Sequence, residues 1–370
     1  MARLTRVDLF SPEEVAIVHV MNRVVRRCYL MGIDPVSRKN YDHRKRWLED
    51  RMRFLASVFG IDLLAFAILS DHFHQILRSR PDVVETWDDT EVARRWLTLC
   101  PPARRSRKSS RALTEHELDS IRNCPERLAE IRLRLSDISW WMRLLCQPLA
   151  VSANREDEMD GKFWQSRFRA VRLDDEAAVL TASGYVDLNV LRAALAKTLE
   201  TSDFTSVQRR IQALLRAMVD EQQQEEKLPE SDGTGRPQSR PDDFLAPLFL
   251  DERQESPGPQ PHLHGRRCSD KGFLTLRPQE YIELLDWTAR QIAPGKRGVT
   301  PADTPPVLNR LGLKPTVWTE LVSQFGQFFA CVAGKPETLN GLRSRVTQRP
   351  FRQRRRYRDL MPSGSDAAGG

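Results

Sequence analysis

The chain is predicted to be an α+β protein: an antiparallel sheet with flanking helices, followed by a small helical C-terminal module. Three observations predict it. Short β-branched runs near 15–24 and 63–78 alternate with amphipathic helical stripes. The stretch QQQEEKLPESDGTGRPQSRPDD, rich in charge, proline and glycine, reads as a linker before a second group of helices. At 370 residues the chain has room for two domains, at roughly 150 residues each.

Composition narrows the class. Charged residues make up 29% and mean hydropathy is negative, so a water-exposed surface is expected. No stretch nears the roughly 20 apolar residues of a membrane span. The opening MARLTRVDLF has no apolar signal core, so a cytoplasmic, nucleoid-associated protein with no membrane partner is expected. The net charge of +8 favours a polyanionic partner, nucleic acid ahead of an anionic membrane surface, although an arginine-rich background would give the same balance. Six cysteines are scattered without a CxxC pair and are read as reduced structural thiols.

In chain order, VAIVHVMNRVVRRCYL (15–30) reads as a first strand and then a basic turn with Arg23, Arg26 and Arg27. His19 falls within that strand and is expected to be packed or hydrogen-bonded. Leu48, Met52, Leu55 and Phe59 form the apolar stripe of a helix, with Arg44, Arg46, Arg51 and Arg53 mostly off it and Gly60 as its C-terminal stop. Leu63–Leu69 and His72–Arg78 read as two strands separated by Ser70-Asp71, through either a hairpin or a bulge. A short helix at 88–99 precedes the basic loop 101–111, an insertion or a phosphate contact. A helical pattern over 125–152 carries Pro148, which should kink or end it. The Trp140-Trp141 pair could stack on bases, but at helical spacing one member is expected in the core. GKFWQSRFRAVRL reads as a further strand, and Asp174, Asp175 and Glu176 open a helix reaching about Leu199. A helix over 205–225 leads into the linker. PQEYIELLDWTARQI and TVWTELVSQFGQFFACV then suggest the helical module, and RSRVTQRPFRQRRRYRD a tail that either contacts nucleic acid or is simply solvated. The boundaries read as 1–204, 205–270, 271–342 and 343–370.

Chemistry is expected at the second strand. His72 and His74 lie one residue apart, so in an extended segment both imidazoles share a sheet face and can share a ligand. A second pair, His262 and His264, sits in a proline-rich loop with no strand to align it and reads as incidental. Tyr185 and Asn189 stand at i and i+4 of the predicted helix and Arg192 at i+7, so the three project together.

AFAILSDHFHQIL, GKFWQSRF, and YVDLN followed by RAAL carry a resemblance to a known family, in the same order and spacing. They are similar to the HUH-type single-tyrosine transposases, most closely the REP-associated tyrosine transposases, over roughly residues 15–200. The resemblance implies a ferredoxin-like core, His72 and His74 as metal ligands of the HUH motif, Asn189 as third ligand and Tyr185 as nucleophile. It implies Mg²⁺ or Mn²⁺ as cofactor, single-stranded or hairpin DNA as partner, and a phosphotyrosine intermediate. Histidine ligation alone would equally admit zinc. Arg23, Arg26, Arg27, Arg167, Arg192 and Trp164 are the expected DNA contacts. The family follows its asparagine with proline where this chain has Val190, a change expected to let the helix continue. A DNA-binding protein that keeps this fold without catalysis is the alternative expectation.

Overall fold

The apolar run ahead of the histidine pair folds as a hairpin. The computed structural model describes residues 9–25, 31–35, 37–102, 112–225, 240–251, 258–292, 305–335 and 338–339. Among them, β1 (Ile17–Arg23) pairs antiparallel with β3 (His72–Ser79), which pairs antiparallel with β2 (Ile61–Ile68) across the Leu69–Asp71 turn. Of the two forms expected at the break, the hairpin is the one that occurs there; β2 carries a separate register shift further back, between Leu63 and Ala65. β4 (Arg169–Leu173) lies antiparallel on the other side of β1, and β5 (Val332–Ala333) adds to it in parallel. The sheet is therefore mixed, in the order β2-β3-β1-β4-β5. Its first four strands, with a helix between β1 and β2 and helices between β3 and β4, have the split βαβ arrangement expected of a ferredoxin-like core.

Helices cover both faces. α1 (His43–Val58) buries Leu48, Met52 and Leu55 as the stripe predicts. Arg44 departs from that prediction, because it is fully buried, with Glu156 at 2.9 Å and Asp157 at 2.5 Å neutralising its guanidinium. Gly60 is not a left-handed stop. Phe59 ends the helix in an extended conformation, and Gly60 is small because a Cβ there would strike Val84. Next come α2 (Pro81–Glu85), α3 (Asp89–Leu99), α4 (Glu115–Arg122), α5 (Pro125–Ser136) and α6 (Ile138–Glu156). The single helix expected over 125–152 is thus two, broken at Asp137, whose carboxylate caps Ser139 N at 2.6 Å. α6 runs on past Pro148 to Glu156. Of the tryptophan pair, Trp141 is the core member, and its Nε1 donates to Gln75 Oε1 on β3 at 3.0 Å.

The opposite face receives α7 (Glu176–Asp187), capped by Asp175 as its acidic start predicts. It does not continue to Leu199. Leu188 interrupts it, α8 is the single turn Asn189–Arg192, and Ala194 takes a positive φ of 54°. Asp187 is a buried carboxylate that accepts from Ser206 Oγ, Val207 N and Tyr281 Oη and so ties the end of α7 to two later helices. Those are α9 (Ser206–Glu225) and α10 (Pro278–Ile292); α11 (Pro306–Arg310) and α12 (Pro315–Phe328) follow.

Described segments after residue 204 pack against the sheet. Phe66 N donates to Ser206 Oγ at 2.9 Å and Ala246 N to Leu63 O at 3.0 Å, so α9 and the 244–248 segment seal the outer edge of β2. The expected helical module shares the same apolar core, with α12 packed on α7 and β5 in the sheet. The Arg343–Arg358 tail and most of the 101–111 loop lie outside the described residues. Among the described residues, no helix is long and apolar enough to cross a membrane.

Candidate active site

Strand alternation builds the site. Arg23 faces His72 and Met21 faces His74 in the β1–β3 register, so His19, Met21 and Arg23 share one sheet face with both histidines. The His72 and His74 rings lie 5.0 Å apart between centroids, as their one-residue spacing predicts. Each has a second partner on its Nδ1. His72 Nδ1 meets Asp71 Oδ1 at 2.5 Å, and Arg23 Nε sits 3.5 Å from the other oxygen of that carboxylate. His74 Nδ1 meets His19 Nε2 at 2.9 Å, with the two rings nearly parallel. His74 Nε2 is buried without a hydrogen-bond partner.

Burial makes the deep pair neutral. Desolvation, aided by the guanidinium charges of Arg23 and Arg192, holds His74 well below the usual histidine range. Desolvation lowers His19 to about 4. Both rings are therefore uncharged imidazoles near neutral pH, the form in which histidine can coordinate a metal.

α7 lays Tyr185 over these rings. Its ring stands edge-on to His74 at 5.4 Å and to His19 at 5.9 Å between centroids. Phe325 of α12 covers Tyr185 at 5.5 Å and also touches the edge of His19. α12 packs on the residue before the tyrosine: a Cβ on Gly184 would be in van der Waals contact with Trp318 and Val322 at 3.4 Å, with no space beyond it. Burial raises the Tyr185 pKa above the ordinary phenol value, while the positive charges of Arg192 and Arg23 pull it back in part. The Arg192 guanidinium lies 5.0 Å from the ring centre and donates to the carbonyls of Val322 and Ser323.

The remaining predicted residues divide. Asn189 is buried on α8, one interruption beyond the tyrosine's helix, with its Nδ2 unpartnered. Trp164 has the surroundings of a packing residue: its Nε1 donates to Cys146 O at 2.9 Å and its ring meets Phe73 and Phe163. Arg167 is exposed, and Arg26 and Arg27 lie outside the described residues. In the second pair, His262 is taken up by Asp270 at 2.8 Å, within a loop pinned to the sheet by Ser269 on Asp62.

His19, Asp71 and Phe325 complete the surroundings and were not predicted as site residues. Alternation does place His19 and Arg23 on one face of β1. Which strand lies beside that face, however, is fixed by pairing across more than fifty residues.

His72 and His74 fit a divalent cation by their chemistry. A ligating histidine characteristically uses its other ring nitrogen on a carboxylate or similar partner, as both Nδ1 atoms do here, and His74 Nε2 is left with nothing to bond. Among the described residues, no cluster of three or more His, Cys, Asp and Glu side chains could hold a metal, so a third protein donor would have to be of another type.

No family model and no curated protein matches this chain. Among solved structures it is similar to a REP-associated tyrosine transposase bound to a REP hairpin, at 12% identity and a TM-score of 0.33. The match covers 57% of this chain and 86% of that one.

Proposed function

We propose that the protein cleaves and rejoins single-stranded DNA through Tyr185, in the manner of an HUH-type transposase. The observation that carries this reading is the edge-on contact of Tyr185 with His74, on the face that His74 shares with His72. The three sequence blocks support the substrate class, and the net charge of +8 suits a phosphate backbone.

In this reading His72 and His74 hold Mg²⁺ or Mn²⁺, with the Asn189 carboxamide oxygen as third donor. The bound cation supplies Lewis acidity toward the scissile phosphate. Tyr185 Oη attacks phosphorus in line; the bond to the 3′ oxygen breaks, leaving a 3′-hydroxyl and a 5′-phosphotyrosine. Attack by a 3′-hydroxyl on that linkage reverses the step, so rejoining consumes no nucleotide. Arg192 and Arg23 supply the positive charge that favours the phenolate as it forms. Arg167, with Arg26 and Arg27, is assigned to the incoming strand.

One observation favours a second reading, binding of hairpin DNA without cleavage: His74 Nε2 is shut from solvent and Phe325 lies on the nucleophile. Incubation with a hairpin-flanked single strand and Mn²⁺, followed by a denaturing gel, separates the two. A covalent adduct is expected from wild type and from His262→Ala, and none from Tyr185→Phe or His72→Ala. Hairpin binding with no adduct from wild type selects the second reading. An undiminished adduct from Tyr185→Phe removes Tyr185 from the chemistry.

A further inference from the structure

We propose that His19 is a positioning residue that sets the tautomer of His74, so that His74 presents a bare Nε2 to the cation. The inference rests on the reading of His72 and His74 as ligands and adds a residue to it.

The geometry leaves two arrangements. His19 Nε2 and His74 Nδ1 are 2.9 Å apart, and a single proton can lie between them. If that proton belongs to His74, then Nε2 of His74 carries a lone pair and can ligate, and His19 carries its own proton on Nδ1. If it belongs to His19, then His74 Nε2 carries a hydrogen and cannot ligate. Both outer nitrogens, His19 Nδ1 and His74 Nε2, are buried without partners. Without a cation, each arrangement therefore leaves one unpaired donor and one unpaired acceptor, and nothing at the outer ends separates them. A cation at His74 Nε2 satisfies that atom in the first arrangement alone. His19 then serves as the acceptor that holds the His74 proton on Nδ1, as Asp71 does for His72. A structural role alone would ask only that the ring fill its space against Tyr185 and Phe325.

Two variants separate these roles. Phenylalanine fills the space and cannot accept a hydrogen bond, whereas the Oε1 of glutamine can. Mn²⁺ binding is titrated by electron paramagnetic resonance on the full chain, with thermal melting as the check of folding. His19→Phe is expected to bind Mn²⁺ about 10–100-fold more weakly than wild type, and His19→Gln to recover most of that loss. Nitrogen-15 NMR of the Zn²⁺-loaded wild type should place the proton on His74 Nδ1. Equal Mn²⁺ affinity in His19→Phe and wild type overturns the role of His19 and leaves the ligand assignment standing. A wild type that binds no Mn²⁺ overturns the ligand assignment itself, and this inference with it. Should His19→Phe not fold, the NMR measurement decides: a proton on His19 Nε2 in the loaded protein overturns the proposal.

Discussion

Tyr185 enters any reaction as a phenol, since burial outweighs the pull of Arg192 and Arg23 on its proton. The raised pKa fixes the sign of the pH dependence. The phenolate fraction rises about tenfold per pH unit below the pKa, and the ordinary tyrosine value is about 10. Adduct formation timed between pH 7 and 9 is expected to accelerate throughout without a plateau; a flat profile would show that losing this proton does not limit the step. A second residue-scale expectation concerns the other face of the sheet. Gln75 is fully buried, its Nε2 has no partner, and its Oε1 is bonded by Trp141. Trp141→Phe should cost about 1–3 kcal/mol in urea unfolding, because it strips the remaining side-chain bond from a buried carboxamide. The two residues differ in how legible they were. The shared face of His72 and His74 follows from period two alone, and Trp141 follows from helical spacing. The bond from His19 to His74 depends on which strands are neighbours, which no local pattern carries.

Between elements, the crossing of α7 and α12 governs access to the tyrosine. Gly184 faces Trp318 and Val322 where the helices meet, and Phe325 and the Arg192 bonds hold them there. A Cβ at 184 would already touch Trp318 and Val322, so a side chain larger than alanine must displace one of them, and Gly184→Leu is expected to lower stability by about 1–3 kcal/mol. It should also raise the accessibility of Tyr185 to a phenol-directed reagent such as tetranitromethane; unchanged labelling would mean that the crossing does not cover the ring. Helix existence was largely readable here, since α1, α3, α9, α10 and α12 each carry an apolar stripe. Helix endings were not. The helical course that starts as α7 is interrupted at Leu188 and leaves α8 where Ala194 takes a positive φ, while Asp187 is held by Ser206 and Tyr281, 19 and 94 residues further along. The Val190 substitution therefore did not lengthen the helix as expected.

For the whole molecule, the later segments act as closures of the sheet. Glu176 at the start of α7 accepts from Thr275 and from both terminal nitrogens of Arg310. Burial opposes its charge, yet these bonds prevail and hold the carboxyl at about 2. A lowered pKa stabilises the fold above the unfolded value near 4.5, and the contribution disappears as pH falls toward 2. Glu176→Gln should thus melt below wild type at neutral pH, with the gap closing over that acid range; a gap independent of pH would assign the effect to packing instead. Cutting the chain at residue 204, the boundary predicted for a separate catalytic domain, should leave the β2 edge and the α7 face bare. Insoluble expression is the expected result, and a soluble fragment with cooperative melting would restore the domain boundary. Charge balance and the linker stretch made that boundary look natural, because neither pattern reveals that the chain folds back after it.

The parallel pairing of β5 with β4 joins Arg172 to Val332 and Leu173 to Ala333. During synthesis, β4 emerges from the ribosome long before its neighbour exists. At about 5–20 residues per second, the sheet waits on the order of ten seconds or more for its last strand. The same delay applies to α12, so the two histidines and the tyrosine exist as a chain before they exist as an enclosed site.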